Sequence, residues 1–253
     1  MKKEARRKRR RAIALRVLTC LCVAAMLAGM LVMLGQVLQY WKGAATYKEL
    51  AGQAVTSKLR PEEKQAWPEV DFGALKAINP DVKAWIYAEG TPLNYPVVQG
   101  SDNEACLDHL FDGTPGMAGC LFIDAENQPF EDHNTVLYGH NLLDGSMFSC
   151  LTKYQKQAYY DEHPCLYLLT PEAVFRVDLL SGYTTTVGQD SWRLHFDTTV
   201  DFIQWQENTM ARSGFASKAS VSGADRVVTL STCIGGPGSR RRYVLVGKLA
   251  PVG

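Results

Sequence analysis

The sequence predicts a mainly β domain of eight short strands, forming a closed barrel or a sandwich, preceded by one transmembrane helix. Short apolar or alternating runs recur between clusters of Gly, Pro, Asn and Asp, a pattern typical of strands. Eight such runs are enough for a barrel or a sandwich. They cover residues 84–88, 93–98, 119–123, 134–138, 165–170, 173–182, 227–232 and 242–249.

The first 38 residues divide into a basic tail and an apolar segment. Residues 1–16 hold nine basic residues and one acid, a formal charge of +8, whereas the rest of the chain carries about −7. Residues 17–38 hold no charged side chain, and a helix of that length spans roughly 33 Å, enough to cross the hydrocarbon core. We predict a cytoplasmic tail at 1–16 and a transmembrane anchor at 17–38. The basic segment is a tail and not a nucleic-acid-binding domain.

The basic flank also predicts the orientation of this helix. Basic flanks stay in the cytoplasm, so residues from about Tyr40 onward are expected outside the cell, with Tyr40 and Trp41 at the membrane interface. A cleaved signal peptide is the alternative, because Gly43 and Ala45 suit a small-residue cleavage site. The apolar run exceeds the roughly 7 to 15 residues of a signal-peptide core, which favours the uncleaved anchor.

Helical segments precede and interrupt the strands. Residues 39–69 are polar and helix-permissive and predict a helical stalk, or an N-terminal helix that lies on the domain. Asp71 then caps a short amphipathic helix that ends before Pro80, and the outer domain is predicted over 70–253. Further helical patches are expected at about 102–109, 146–160 and 199–212.

Five of the seven cysteines fall in the predicted outer domain. Cys20 and Cys22 lie in the predicted membrane span, where they act as small apolar residues. The outer cysteines are Cys106, Cys120, Cys150, Cys165 and Cys233. An odd count in an exported domain leaves at least one thiol free or paired between chains. The first four lack the close spacing of a zinc site, and the sequence leaves open whether any of them cross-link.

A histidine and a cysteine each come at the end of a predicted strand. His140 stands in "YGHN" and Cys233 ends "VVTLSTC". Taken alone, the histidine is explained by a hydrogen bond to its own turn, and the cysteine as a small buried apolar residue. Strand alternation, however, puts Cys233 on a polar face with Thr229 and Ser231. The glycine-rich turn 235–238 leaves the backbone beyond it open to a ligand, so a reactive thiol is favoured.

Three arginines open the last predicted strand. Strand alternation places Arg240 and Arg242 on one face and Arg241 on the other. A solvated basic turn explains at least two of them, but a guanidinium beside a thiol favours the thiolate and can stabilise an oxyanion. The order His, Cys, Arg disfavours papain-like peptidases, in which the cysteine comes first. L,D-transpeptidases carry a histidine where this chain has Ser231.

Together these segments resemble the class B sortases. The resemblance is carried by "TLSTC" followed by Arg-aromatic-Val, and by "YGHN" 93 residues before the cysteine. "INPDVKAWI", "NYPVVQGSDNEACLDHLFDG" and "YGHNLLDGSMF" extend it from about Val70 to Leu249. The resemblance implies a closed eight-stranded sortase-type β-barrel with N-terminal helices and a helix in the loop before the cysteine strand, where the patch 199–212 lies.

The resemblance also implies an activity at the Gram-positive cell surface. A membrane-anchored cysteine transpeptidase would cleave the sorting signal of a secreted protein at a Thr-Gly or Thr-Asn type bond and transfer the acyl group to a cell-wall peptidoglycan amine. By carry-over, Cys233 attacks the threonine carbonyl and forms the thioester. His140 protonates the departing amine and later deprotonates the incoming one. Arg242, or else Arg240, stabilises the oxyanion, and no metal or cofactor is expected.

Weaker matches place Asn94, Val98, Thr186 and Ser231 along the peptide groove, although each also suits an ordinary strand-end or core position. The expected partners are a sorting-signal peptide, a peptidoglycan precursor or cross-bridge amine, and the membrane, with no nucleic acid. NPQTN-like and PxTG-like signals both stay open, because the turn "IGGPGSRR" is unusually rich in glycine. Two alternative functions also stay open: a pilin-polymerising sortase with a lysine acceptor, and a catalytically inactive membrane-tethered binding or scaffold barrel.

Overall fold

The structure is a computed structural model that describes residues 2–56, 67–236 and 238–252. Residues 57–66 of the predicted stalk and Pro237 of the glycine-rich turn lie outside the described residues. The chain divides into two units, Met1–Lys42 and Gly43–Gly253.

The first unit is the larger part of one long helix. Helix α1 extends over Lys2–Ala54. Its portion Ile13–Ala54 is long and apolar enough to cross a membrane, with a mean hydropathy of 2.6 in its most apolar window. The large apolar side chains that the structure describes between Ile13 and Trp41 are exposed, which suits a helix whose surroundings are lipid. The predicted apolar helix is confirmed, and its insertion in a membrane stays a prediction.

The second unit begins with the last turns of α1 and a short helical and β segment. Tyr47 and Leu50 of α1 are buried in the core of this unit, and the Tyr47 hydroxyl donates to the Gly119 carbonyl at 2.5 Å. Two-residue strands follow, β1 (Val55–Thr56) and β2 (Glu69–Val70), and they pair antiparallel. Helix α2 (Phe72–Ile78) begins at Asp71, whose carboxylate accepts from the Ala74 N–H at 2.9 Å, so the predicted cap is confirmed.

Eight strands form a closed barrel in the order β10-β8-β7-β3-β4-β5-β6-β9. Each overlaps one of the runs predicted from the sequence, so the predicted eight-stranded barrel is confirmed. The strands are β3 (Val82–Tyr87), β4 (Asn94–Val98), β5 (Leu121–Ile123), β6 (Asn134–Tyr138), β7 (Cys165–Leu169), β8 (Val174–Thr186), β9 (Arg226–Cys233) and β10 (Arg241–Val252).

The long loop between β8 and β9 carries the expected helix. Helix α4 (Thr199–Ala211) begins at Thr198, whose hydroxyl accepts from the Asp201 N–H at 3.2 Å. Its buried face, Phe202 and Trp205, belongs to an apolar cluster that includes residues of β8, β9 and β10. The remaining helical segments are short: 3-10 turns at Ala105–Leu107, Phe148–Gln155 and Asp190–Trp192, and helix α3 (Gln157–Glu162).

A buried polar pair lies across β6 and β9, the two strands that carry the candidate residues. These strands are parallel, with Asn134 beside Val227 and Tyr138 beside Ser231. The fully buried Thr229 hydroxyl donates to the Asn134 side-chain oxygen at 2.9 Å, and the Asn134 amide donates to the Arg193 carbonyl at 2.9 Å. Because a shift by one residue would leave these polar groups unpaired, the pair helps to fix the register.

Candidate active site

Strand register brings Cys233 and Arg242 directly opposite each other. Cys233 ends β9, Arg242 is the second residue of β10, and the two are cross-strand partners in the antiparallel ladder. Side chains of directly opposed residues project to the same face of a sheet. The Cys233 thiol is exposed, so the thiol and the guanidinium meet at an open end of the barrel.

The parallel pairing of β6 and β9 brings His140 to the same end. The Gly139 N–H donates to the Ser231 carbonyl at 3.2 Å, and the Thr232 hydroxyl donates to the Gly139 carbonyl at 2.7 Å. The Asn141 side-chain amide donates to the Cys233 carbonyl at 2.9 Å. Residues on either side of His140 are thus bound to the end of the cysteine strand.

Gly139 is required by close packing at this junction. A methyl group added there would overlap the side chains of Leu121 and Phe148. The chain therefore packs closely against Leu121 and Phe148 where β6 ends. The first side chain beyond this point is the half-buried imidazole of His140.

A main-chain carbonyl holds the His140 ring. The ring nitrogen Nε2 lies 2.6 Å from the Leu107 carbonyl oxygen. Because a carbonyl oxygen only accepts, Nε2 must carry a hydrogen in this arrangement. Nδ1 is then the nitrogen that can gain or lose a proton without breaking the contact.

The three side chains line a cavity of about 400 Å³. Apolar walls come from Leu107, Phe122, Val187 and Trp192, and the polar groups are those of His140, Cys233, Arg242 and their neighbours. An apolar pocket with a few convergent polar groups is what peptide binding and catalysis require. Among the residues that the structure describes, no cluster of three or more His, Cys, Asp or Glu side chains is placed to hold a metal ion.

Indole and phenol side chains support the wall and floor of this cavity. The Trp192 indole N–H donates to the Ser231 hydroxyl at 2.9 Å. The Tyr138 hydroxyl donates to the Asp124 carboxylate at 2.8 Å. Burial, followed by the negative charge of Asp124, raises the pKa of Tyr138 well above its usual range. The phenol therefore stays neutral and acts as a hydrogen-bond donor.

The arginines differ in how firmly they are held. Arg242 is half-buried, and its Nη1 donates to the carbonyls of Ser239 at 2.9 Å and Arg241 at 3.0 Å. These bonds fix the guanidinium with Nη2 and Nε still available as donors. Arg240 and Arg241 are exposed, and Arg240 precedes the first residue of β10.

A second cavity, of about 500 Å³, is also lined by Cys233. It is lined by Arg240, the turn residues Gly235, Gly236, Gly238 and Ser239, and three residues of the first cavity: Val187, Cys233 and Arg242. Cys233 therefore lies where the two cavities adjoin.

The residues matched to the peptide groove fall in different places. Ser231 lines the first cavity and is 2% exposed, and Thr186 is exposed at the end of β8, next to the lining residue Val187. Asn94 accepts from the Trp85 indole N–H at 2.7 Å, and Val98 is 2% exposed in the core. The structure places Asn94 and Val98 outside the described lining of both cavities. Their binding role stays a prediction, and their contacts favour structural roles.

Three hydrogen bonds of the site were not predicted from the sequence. They join His140 to the Leu107 carbonyl, the Asn141 amide to the Cys233 carbonyl, and the Trp192 indole to the Ser231 hydroxyl. A main-chain carbonyl carries no sequence signal. Trp192 ends a 3-10 turn of three residues, which is too short for a periodic pattern to indicate the direction of a side chain. Asn141 adjoins His140 in "YGHN", and its polarity was the one available signal.

This fold is that of the sortases, a class of cysteine transpeptidases. The sequence model of the Sortase domain family matches residues 86–250. Sortase B of Staphylococcus aureus is 34% identical over 183 residues, which cover 72% of this chain and 75% of that protein. Sortase B of Listeria monocytogenes is 34% identical over 160 residues, or 63% of this chain and 65% of that protein.

Solved structures agree. The crystal structure of S. aureus sortase B superposes with a TM-score of 0.74 at 32% identity and covers 83% of this chain and 99% of that one. A complex of S. aureus sortase B with a substrate also gives a TM-score of 0.74, at 30% identity, over 85% of this chain and 100% of that one. The chain belongs to the sortase family, as a class B cysteine transpeptidase.

Proposed function

We propose that this sortase cleaves a sorting signal after threonine, holds the acyl group as a thioester on Cys233, and transfers it to a peptidoglycan amine. The observation that carries the proposal is the meeting of His140, Cys233 and Arg242 around one cavity. Two independent pairings, β6 with β9 and β9 with β10, bring them together.

In the first step the Cys233 sulfur attacks the threonine carbonyl and an oxyanion forms. Arg242 lies opposite the sulfur and has donors left over from its bonds to Ser239 and Arg241. A fixed, charged donor at this position stabilises the oxyanion without reorganising during the reaction. His140, protonated on both ring nitrogens, then donates the Nδ1 proton to the departing amine, while Nε2 stays hydrogen-bonded to the Leu107 carbonyl.

In the second step an amine attacks the thioester. The second cavity, between Cys233, Arg240 and the glycine-rich turn, supports an approach that does not displace the acyl peptide from the first cavity. His140, now neutral, accepts the proton of the attacking amine. Collapse of the tetrahedral intermediate forms the new amide and releases the thiolate.

The N-terminal segments fit a cell-surface enzyme. The basic tail 1–16 would stay in the cytoplasm, the segment 17–38 would anchor the chain, and 39–69 would connect it to the catalytic domain 70–253 outside the cell. Support comes from the charge asymmetry and from the exposed apolar surface of α1. Protease digestion of intact cells should remove the 70–253 domain and leave the tail protected; a protected domain contradicts this topology.

Intact-mass spectrometry of the full chain in detergent micelles tests the activity. The chain is mixed with NPQTN-like and PxTG-like peptides, with and without an amine acceptor. We expect one peptide class to give an acyl adduct that maps to Cys233 and is lost when the amine is added. An adduct on another cysteine contradicts the assignment of the nucleophile.

Replacing Arg242 by alanine is expected to lower kcat/KM by about 10²- to 10³-fold, the usual effect of removing one oxyanion donor. Lysine at the same position keeps the charge but not the planar fork, so we expect it to restore only part of the rate. Peptide cleavage coupled to transfer gives kcat/KM for each variant.

Arg241→Ala is the matched control, because Arg241 has the same charge one residue earlier and lies on the opposite strand face. We expect it to stay within about twofold of the unmodified enzyme, as for a solvated surface charge. Arg240→Ala compares the other candidate. A larger loss in Arg240→Ala than in Arg242→Ala would transfer the oxyanion role to Arg240.

A further inference from the structure

Two buried cysteines lie behind His140, away from the reactive thiol. Cys106 is in the 3-10 turn Ala105–Leu107, and Cys120 immediately precedes β5. They are 8% and 3% exposed. The Cys120 N–H donates to the Cys106 carbonyl at 2.9 Å, which places the two residues next to each other. A main-chain hydrogen bond of this kind keeps the two Cα atoms close to each other, and a disulfide requires Cα atoms no more than about 7 Å apart.

The same two segments hold the His140 ring. Leu107, next to Cys106, provides the carbonyl 2.6 Å from His140 Nε2. Gly119, next to Cys120, packs so closely that an added methyl group would come within 3.0 Å of both the Leu107 carbonyl oxygen and His140 Cδ2. The cysteine pair therefore lies directly behind the surface on which the histidine rests.

We propose that Cys106 and Cys120 form a disulfide site, which a disulfide-bearing oxidant closes and which fastens the two segments that support His140. The bond would close a loop of 15 residues, already folded on itself through main-chain bonds such as Leu110 N–H to the Thr114 carbonyl, at 2.8 Å. Closing a loop of this size stabilises a fold by restricting the unfolded chain.

The chemistry proceeds by two thiol–disulfide exchanges. The neighbouring Cys120 thiol lowers the pKa of Cys106, whereas the Cys106 thiol and burial raise the pKa of Cys120, so Cys106 loses its proton first. The Cys106 thiolate attacks the oxidant disulfide and expels one thiolate, leaving a mixed disulfide. Cys120 loses its proton, attacks the Cys106 sulfur and expels the second. The protein loses two protons and two electrons, and the oxidant takes them up and leaves as two thiols.

The test uses the full chain in detergent micelles, as the Cys233→Ala variant so that the exposed thiol does not compete. The chain is treated with oxidised glutathione, unfolded in an alkylating agent and digested without reductant. We expect mass spectrometry to find a peptide pair joined through Cys106 and Cys120. The midpoint temperature of thermal unfolding should rise by roughly 6 to 12 °C, and it should fall back to its original value when dithiothreitol is added.

Cys106→Ala and Cys150→Ala are matched controls, because Cys150 is also buried, at 2% exposure. Cys106→Ala should lose the thermal shift, and Cys150→Ala should keep it. Three outcomes would each overturn the proposal. Cys106 and Cys120 could still be alkylated after prolonged oxidation, either of them could be joined to Cys150, or the unfolding temperature could stay unchanged. None of these readouts requires acyl transfer, so such a result leaves the proposed function untouched.

Discussion

Cys233→Ala is expected to abolish acyl transfer and thioester formation while the barrel stays folded. The substitution removes the nucleophile from an exposed side chain at the end of β9, and no other group in the cavity can form a thioester. The Cys233 carbonyl, which accepts from Asn141, stays in place. Peptide turnover should fall below detection, with a thermal midpoint within about 2 °C of that of the unmodified chain.

Cys165→Ala provides the comparison, because Cys165 is also an outer, partly exposed thiol but begins β7 and lies away from both described cavities. It should keep the unmodified rate and the acyl adduct. Transfer activity that survives Cys233→Ala would exclude the thioester mechanism. Failure of both variants to turn over the peptide would point instead to damage of the fold.

The barrel could be predicted because each strand either alternates apolar and polar residues or is apolar throughout, and because turn residues separate the strands. Each of the eight barrel strands overlaps a predicted run, since burial against a closed core imposes the pattern on the sequence. The pairing of Cys233 with Arg242 could also be predicted, because the alternation of side chains along each strand is kept in the ladder in which these two residues are partners. Parity also separated Arg241 from its neighbours.

The surroundings of His140 could not be predicted in the same way. Its partner, the Leu107 carbonyl, is 33 residues away in sequence and belongs to the main chain of a short turn. Trp192 donates to Ser231 from a short 3-10 turn between β8 and α4. Such contacts depend on how loops fold back over the barrel end, and loops are set by tertiary packing rather than by a residue pattern. The closeness of Cys106 and Cys120 is of the same kind.

His140→Gln is expected to lower kcat/KM for a peptide substrate by about 10²- to 10⁴-fold, the usual contribution of a general acid–base residue. Glutamine can still donate to the Leu107 carbonyl, so the support of the side chain is kept and proton transfer is lost. The control is His195→Gln, because the His195 side chain is 70% exposed, lies 3.5 Å from the Asp132 carboxylate and lines neither described cavity. Loss of that contact should change the rate less than about twofold.

A change of leaving group separates proton donation from positioning. In a peptide thioester the departing thiolate needs no proton, whereas the amine of an amide does. His140→Gln should therefore acylate Cys233 from the thioester at close to the unmodified rate, while acylation from the amide stays slow. Equal losses on both substrates would mean that His140 only positions Cys233. Because Nε2 is held by Leu107, we expect the loss to be confined to the amide, with Nδ1 as the nitrogen that transfers the proton.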